Sequence, residues 1–289
     1  MIRLQTPVDI PVSRIGISLQ DKVLVIGSCF ADTIGLRMKN SGMDVMVNPF
    51  GTQYNPVSVF NSLARLSSGI PFRADDCVQM GAGSTLICSF SHHTSFARES
   101  AEEFLRNANE ALAALSAFFR ECNKVIITLG TSWVFKWKES GEVVSNCLKL
   151  DPSGFIREQL SLSQAETAVQ GMLRSWPDKQ FIFTVSPIRH MADGAHGNQV
   201  SKARLLMAVD RACETFPARC EYFPAYEIML DELRDYRFYS DDMCHPSSLA
   251  QNIIWERFLD YAVSPSDRQA MEIAEKQYRR TLHIPHQKG

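Results

Sequence analysis

A cysteine and a histidine at opposite ends of the chain have the residue types and neighbours that nucleophilic catalysis requires. Ser28 and Cys29 directly follow the apolar run 23–26 and a glycine. Near the other end, Asp242 and His245 place a carboxylate and an imidazole three residues apart. A nucleophile at a strand end needs a base, and the base needs an acid that orients it. The sequence therefore predicts a nucleophile, an acid and a base, in that order along the chain.

The nucleophile has more than one interpretation. Cys29 is favoured because a strand-to-helix corner surrounds it with the unpaired amides of the first helical turn, and a helix dipole lowers a thiol pKa. Ser28 is the alternative nucleophile; otherwise its hydroxyl can cap the helix or help to bind an oxyanion. The remaining interpretation is a small buried cysteine with no covalent role.

The base and its acid are predicted from their position on a loop. His245 precedes Pro246, a residue typical of a helix start, so the imidazole does not lie on an apolar helix face. We expect His245 to act as the general base and Asp242 to orient it. Asp241 is an adjacent competitor for the orienting role. A surface histidine beside a helix-capping aspartate is the structural alternative.

Alternating strand and helix signals predict an α/β fold with a parallel sheet covered on both faces. Near-continuous apolar runs and shorter extended segments predict core strands at 22–26, 44–47, 124–129, 180–185 and 220–223. The intervening segments predict helices at 30–40, 56–66, 100–121, 162–174, 199–216 and 246–261. In such sheets, sites form at the carboxyl ends of the strands, where the small and polar residues of this sequence cluster.

These elements predict a single domain over 1–289, with a core at about 22–262. Two hairpins are predicted, one inserted at about 71–97 and one formed by 133–137 and 142–144. The chain is predicted to end with a helix at about 266–281 and a loose tail at 283–289.

Further polar side chains near the predicted strand ends are candidates for substrate binding. Arg189 can hold a carboxylate or phosphate by paired hydrogen bonds, and Asn198 with Ser201 begins the next helix. The adjacent pair His92-His93 and the residue His190 are interpreted either as pocket-lining residues or as exposed loop residues. The histidines lack regular ligand spacing, so we predict no metal site and no cofactor.

Composition excludes several classes of protein. The net charge of -2 and pI of about 6.4 give no electrostatic signature of nucleic-acid binding. No apolar run of about eighteen residues is present, so no membrane span is predicted, and 1–20 does not read as a signal peptide. The eight cysteines are scattered, which favours a reducing cytoplasm over a disulfide framework.

Several motifs resemble one protein family. The segment Gly27-Ser28-Cys29-Phe30-Ala31 spells the signature of the GSCFA family, which resembles the SGNH (GDSL-like) hydrolases. Other stretches that resemble the family are Asn48-Pro49-Phe50-Gly51, Tyr54-Asn55-Pro56, Thr128-Leu129-Gly130-Thr131-Ser132-Trp133, Ser186-Pro187-Ile188-Arg189-His190 and Asp242-Met243-Cys244-His245-Pro246-Ser247.

The resemblance implies a three-layer α/β/α, flavodoxin-like parallel sheet with inserted hairpins, and ester or acyl chemistry. The Asp-x-x-His block of SGNH enzymes maps onto Asp242 and His245, and their Gly-Asp-Ser block puts Cys29 at the nucleophile position. Their oxyanion-binding glycine maps onto Gly51.

Their Gly-x-Asn block maps onto Gly130-Thr131-Ser132. This departs from the pattern, because a serine hydroxyl is shorter than an asparagine amide and donates only one hydrogen bond.

Together these observations predict an acyl-ester hydrolase or acyltransferase that acts on a small polar or carbohydrate ester. The choice between hydrolysis and transfer, and the oligomeric state, stay open at this point. The alternative function is a non-catalytic ligand-binding module on the same fold, because the Gly-x-Asn block is absent.

Overall fold

The structure, a computed structural model, describes residues 6–282. In chain order its strands are β1 Lys22–Gly27, β2 Asp44–Val47, β3 Val78–Gln79, β4 Ile87–Cys88, β5 Lys124–Leu129, β6 Trp133–Trp137, β7 Val143–Val144, β8 Phe155–Gln159, β9 Gln180–Val185 and β10 Cys220–Tyr222. Its α-helices are α1 Cys29–Asn40, α2 Pro56–Ser68, α3 Ala101–Glu121, α4 Leu162–Ser175, α5 Gly194–Thr215, α6 Ala225–Glu227, α7 Ser248–Ala262 and α8 Pro265–Leu282. The predicted tail at 283–289 lies outside the described residues.

A parallel sheet of five strands lies at the centre of the fold, in the order β2-β1-β5-β9-β10. When these five strands are numbered among themselves, the order is 2-1-3-4-5, which is that of flavodoxin-like doubly wound sheets. The order reverses between β1 and β5. The carboxyl ends of these two strands therefore form the switch point at which such sheets bind ligands.

Helices cover both faces of the sheet because alternate strand side chains point to opposite sides. In β1, Leu24 and Ile26 join a core formed with α2, α3, α4 and α5. Val23 and Val25 join a second core, formed with α1 and α7. The chain is thus an α/β protein with the predicted parallel sheet between two helical layers.

Local signals set the helix that follows the second strand. The Asn55 side chain accepts a hydrogen bond from the Ser58 amide at 2.9 Å and caps the amino terminus of α2. Pro56 occupies the first turn, where a missing N–H is tolerated. Gly69 ends the helix in the left-handed conformation that glycine favours.

Several elements differ from the prediction. Helix α5 begins at Gly194 rather than at 199, and α7 begins at Ser248 rather than at Pro246 because Ser247 is its cap. Strand β8 was not predicted. Its residues Ile156 and Arg157 are both exposed, so it lacks the apolar alternation that indicates a strand, yet it pairs with β6 in a sheet of order β7-β6-β8.

The segment between α2 and α3 contains the short antiparallel pair β3–β4. Its end is attached to the turn after β2, because the His93 amide donates to the Phe50 carbonyl oxygen at 2.8 Å. The segment therefore forms a wall beside the carboxyl end of β2.

No helix among the described residues combines the length and the apolar character needed to span a membrane. Within the same residues, no three His, Cys, Asp or Glu side chains group in a way that could hold a metal ion.

Candidate active site

The corner between β1 and α1 has a backbone that only glycine fits. Gly27 has a φ of 138°, and a Cβ atom there would lie 2.1 Å from the Thr128 carbonyl oxygen. The Gly27 amide donates to Oδ1 of Asn48 at 2.8 Å, and Nδ2 of Asn48 donates to Oδ1 of Asp32 at 2.6 Å. Asn48 therefore joins the end of β1 to the first turns of α1 and fixes the corner.

Ser28 is enclosed within this corner. Only 1% of the residue is exposed, and its hydroxyl lies 3.0 Å from the Thr128 hydroxyl. The Ser28 hydroxyl also accepts a hydrogen bond from the Phe30 amide, so it caps α1. Its backbone N–H donates to the Thr128 carbonyl oxygen at 3.0 Å. The structure thus places Ser28 in the capping position that the sequence analysis left open.

Cys29 is the first residue of α1, and it lines a cavity of about 640 Å³. Its Sγ lies 3.4 Å from the Tyr54 hydroxyl, which also lies 3.4 Å from Oγ1 of Thr52. Burial and the hydrogen bond with Cys29 raise the pKa of Tyr54 to about 12. The phenol therefore stays protonated at neutral pH and can donate to the sulfur.

The cavity combines polar side chains near the sulfur with an apolar side. Asp32, Thr52 and Ser95 provide oxygens, while Val45 and Val47 cover the edge of the sheet. The other residues that line it are Leu36, Lys39, Asn48, Gly51, Tyr54 and His93. Burial raises the pKa of Asp32, and its hydrogen bond with Asn48 opposes that shift.

Asp242 and His245 form the predicted pair. Nδ1 of His245 lies 2.5 Å from Oδ2 of Asp242. Oδ1 of Asp242 accepts the backbone N–H groups of Cys244 and His245, both at 2.9 Å. These two amides, followed by the imidazole, lower the pKa of Asp242 to about 2. The carboxylate is therefore ionised at neutral pH and fixes the ring through Nδ1, which leaves Nε2 available for proton transfer.

The turn that carries His245 is attached to the loop after β9. The Arg189 amide donates to the Cys244 carbonyl oxygen at 3.1 Å, and Nη1 of Arg189 donates to the Met243 carbonyl oxygen at 3.2 Å. Arg189 thus holds the two loops together. No hydrogen bond joins the His245 ring to Cys29 or Ser28 among the described residues.

His190 lies between the two halves of the site. Its ring packs edge-on against Tyr54, with the ring centroids 6.1 Å apart. Its Nε2 is buried without a hydrogen-bond partner among the described residues. Burial, with smaller contributions from Lys202 and His245, lowers the pKa of His190 to about 4, so the ring is neutral at physiological pH.

Three polar residues of α5 hold the strand ends around this site. Oδ1 of Asn198 accepts the His190 amide at 2.9 Å. The Ser201 hydroxyl accepts the Ser132 amide at 2.8 Å. Nζ of Lys202, which is fully buried, donates to the carbonyl oxygens of Gly130 and Ser186, both at 2.7 Å.

Three of the predicted oxyanion-binding positions have other partners. The Gly51 amide donates to the Asn48 carbonyl oxygen at 2.8 Å, although Gly51 does line the cavity. The Ser132 hydroxyl is buried and donates to Ser201 at 3.1 Å. Gly130 donates its amide to the Tyr54 carbonyl oxygen at 2.8 Å. None of these groups points a free donor at Cys29.

His92 lies in the core and not on the cavity. Only 2% of it is exposed, and its Nδ1 lies 2.7 Å from the Ser89 hydroxyl. Its ring packs against the rings of Phe50, Phe72, Phe96 and Phe104. The neighbouring His93 lines the cavity instead. The His92 amide donates to the Ser89 carbonyl oxygen at 3.0 Å and closes a turn, which the sequence analysis did not predict and which leaves the two neighbouring rings in different environments.

Tyr54, Asp32 and Asn48 are site residues that the sequence analysis did not assign. The signal for Tyr54 and Asn48 was present, because both lie in stretches that resemble the family. Asp32 carries a weaker signal, which is its position one helical turn after Cys29 on the same side of α1.

The fold and the site together define a doubly wound α/β protein with a thiol at the switch point of its sheet and an Asp–His pair on a neighbouring loop. The chain belongs to the GSCFA family, whose family model matches residues 22–258. No curated protein matches the chain.

Proposed function

We propose that this protein is an acyl-ester hydrolase or acyltransferase in which Cys29 is the nucleophile and His245 the general base. The observation that carries the proposal is the contact of 2.5 Å between Nδ1 of His245 and Oδ2 of Asp242. Such a pair fixes the imidazole tautomer and stabilises the imidazolium that forms during the reaction. The loop contacts of Arg189 hold this pair beside the loop that carries His190.

Cys29 is a better nucleophile candidate than Ser28 because of what surrounds each side chain. The Ser28 hydroxyl is buried, lies within hydrogen-bonding distance of the Thr128 hydroxyl, and is not among the groups that line the cavity. Cys29 lines the cavity and is the first residue of α1, and a helix amino terminus stabilises negative charge that develops beside it.

The proposed reaction has two halves. In the first, Nε2 of His245 takes the Cys29 proton, Sγ attacks the ester carbonyl carbon, and the alcohol leaves with the proton from the imidazolium. In the second, water or an acceptor alcohol gives its proton to His245 and attacks the thioester, and the Cys29 thiol is regenerated. Because no hydrogen bond joins the His245 ring to Sγ of Cys29 among the described residues, the imidazole has to approach the sulfur when substrate binds.

The substrate class we propose is a small polar ester, including carbohydrate esters. The cavity of about 640 Å³ has the size of a small-molecule site. Asp32 and Thr52 line the same cavity as Cys29, and their side-chain oxygens can accept hydrogen bonds from substrate hydroxyl groups.

Turnover of p-nitrophenyl acetate and of acetylated monosaccharides tests the proposal. We expect Cys29→Ala and His245→Ala to lose activity by at least about 100-fold, since each removes a group that handles the reacting proton. We expect Ser28→Ala to retain turnover, with a stability loss of about 1 kcal/mol from the missing helix cap.

Iodoacetamide provides a second measurement. We expect it to inactivate the wild type with labelling of Cys29, and to inactivate Cys77→Ala, which lacks another half-buried thiol, at the same rate. A product that forms only when an acceptor alcohol is added would identify transfer rather than hydrolysis. Unchanged ester turnover in both Cys29→Ala and His245→Ala would overturn the enzymatic proposal.

The second candidate function is a ligand-binding module without catalysis. One observation favours it: the Ser132 hydroxyl donates its hydrogen bond to Ser201, so its O–H is not available to an oxyanion. This candidate predicts that acetylated sugars bind to the wild type without turnover, and that Cys29→Ala binds them equally well.

A further inference from the structure

We propose that Tyr54 is a catalytic residue whose phenol donates a hydrogen bond first to the Cys29 sulfur and then to the carbonyl oxygen of the bound ester. This inference rests on the proposed function and extends it by naming the side-chain donor of the oxyanion site. The observation that carries it is the distance of 3.4 Å between the Tyr54 hydroxyl and Sγ of Cys29.

The Tyr54 ring is held from several sides. Its backbone carbonyl oxygen accepts the amides of Gly130 and Thr131, at 2.8 and 2.9 Å. The His190 ring packs edge-on against it. The phenol is thus attached to the carboxyl end of β5, while its hydroxyl faces the amino terminus of α1 across the switch point of the sheet.

Gly130 makes this arrangement possible. A Cβ atom at position 130 would lie 3.3 Å from both Cδ1 of Tyr54 and Nε2 of His190. Such contacts are tighter than most that real Cβ atoms make, so one of the two rings would have to move. Glycine at this position therefore lets the Tyr54 and His190 rings close together beside the sulfur.

The chemical state of Tyr54 suits a donor. Because the phenol is protonated at neutral pH, it presents an O–H to whichever group nearby carries negative charge. When Cys29 is a thiolate, the sulfur has no proton, and only the phenol can donate in that pair. Hydrogen bonds to charged groups are about twice as strong as those between neutral groups.

During attack the negative charge moves from sulfur to the carbonyl oxygen of the substrate. The phenol that stabilised the thiolate then lies near the new charge and can donate to it without a large movement. Donors that are already oriented toward a developing charge contribute most to catalysis of this kind.

The alternatives predicted for this role are engaged elsewhere. The Ser132 hydroxyl is bonded to Ser201, and the Gly51 amide is bonded to the Asn48 carbonyl oxygen. The Tyr54 hydroxyl is therefore the side-chain donor that directly contacts the nucleophile.

The test compares Tyr54→Phe with wild type, using p-nitrophenyl acetate as the substrate. We expect kcat to fall by about 100- to 1,000-fold, the usual loss for one oxyanion donor, while KM changes less than about threefold. Tyr222→Phe is the matched control. Tyr222 is the last residue of β10, and its part-buried hydroxyl donates a hydrogen bond to Glu227. We expect wild-type kinetics from this control variant.

A second readout follows the thiol directly. The rate of Cys29 alkylation by iodoacetamide at neutral pH reports how well the site stabilises the attacking sulfur. Loss of the phenol donor should change this rate by at least about threefold in Tyr54→Phe, with no change in Tyr222→Phe. Thermal melts of both variants establish that each remains folded.

The outcomes separate the two proposals. A Tyr54→Phe protein with kcat within threefold of an active wild type overturns the role of Tyr54 and leaves the proposed function intact. A wild type that turns over no ester overturns the proposed function, and the catalytic role of Tyr54 with it, whatever the alkylation profile shows.

Discussion

Nδ1 of His245 lies 2.5 Å from Oδ2 of Asp242, and the other carboxylate oxygen accepts two backbone amides of the same turn. The turn and the pair therefore stabilise one another. Met243 lies within this turn and has a φ of 56°. The Ser240 amide closes the turn by donating to the His245 carbonyl oxygen at 2.8 Å. The same carboxylate shapes the turn and orients the ring.

Asp242→Asn should reduce kcat/KM for ester turnover by about 100- to 10,000-fold, because an amide neither fixes the required tautomer nor stabilises an imidazolium. Asp241→Asn is the matched control on the adjacent residue, and we expect it to keep wild-type activity. Equal losses in both variants would show that the effect is not specific to the pair. Steady-state kinetics with p-nitrophenyl acetate measure the difference.

Gly51→Ala should destabilise the protein more than Gly83→Ala does. Both glycines have positive φ, at 89° and 74°, so alanine is strained at either position by about 1–2 kcal/mol. A Cβ at 51 would also lie 2.2 Å from the Cβ of His93, whereas nothing lies within 4 Å of a Cβ at 83. Urea unfolding measures the two losses, and equal values would contradict the steric argument.

We also expect Gly51→Ala to lower ester turnover, because separating Gly51 from His93 moves one wall of the cavity. Gly83→Ala, on the hairpin turn away from the cavity residues, should keep wild-type turnover.

Lys202→Met should disturb the site, while Lys179→Met should not. Each lysine is buried and donates to two backbone carbonyl oxygens, so each loss should cost about 1–3 kcal/mol of stability. Lys202 holds Gly130 at the site, whereas Lys179 holds the end of α3 and the residue after it.

The specific readout is the pKa of His190, measured by NMR titration. Burial lowers the pKa of Lys202 itself to about 7, so this lysine is charged near pH 4, where His190 titrates, and its charge helps to lower the pKa of His190. The His190 pKa should therefore rise in Lys202→Met and stay unchanged in Lys179→Met. A shift of the same size in both would indicate a general loosening of the fold.

His92 should make the protein less stable in mild acid. Burial lowers the pKa of His92 from 6.5 to about 4, so below pH 6.5 the unfolded chain binds a proton that the folded chain does not. Stability therefore falls as the pH drops from about 6.5 toward 4, by up to roughly 3 kcal/mol for this group. His190, with its lowered pKa, acts in the same direction.

His92→Phe should flatten this acid dependence, because it removes a histidine whose pKa is lowered by burial. His196→Phe, at an exposed position, should leave the slope as in the wild type. Urea unfolding from pH 7 to pH 4.5 provides the measurement, and an unchanged slope in His92→Phe would contradict the assignment.

The central sheet could be predicted because its strands are nearly continuous apolar runs. The prediction for β1 covered 22–26, and the strand is Lys22–Gly27. Strand β8 could not be predicted in this way, since it lies in a small separate sheet and exposes neighbouring side chains. Its formation depends on pairing with β6, which is a tertiary contact rather than a local pattern.

The part of the candidate site that depends on local sequence was predictable, and the part that depends on tertiary contacts was not. Asp242 and His245 are three residues apart, so their contact is a local property of one turn. The contact between Cys29 and Tyr54 joins residues that are 25 positions apart, and it depends on how the loop that carries Tyr54 is held against the end of β5. Ser132 was assigned from its position in a motif, but its hydroxyl direction is set by Ser201 on another helix.

Under the proposed mechanism, the order of Cys29 and His245 along the chain has a consequence for biosynthesis. Cys29 and His245 are separated by roughly 200 residues, which a ribosome adds in roughly 10–40 s at about 5–20 residues per second. During that interval the nascent polypeptide contains the Cys29 thiol but not yet the His245 imidazole. If the proposed mechanism holds, products that terminate before His245 should turn over no ester, so that activity begins only after the segment that carries the imidazole has been synthesised.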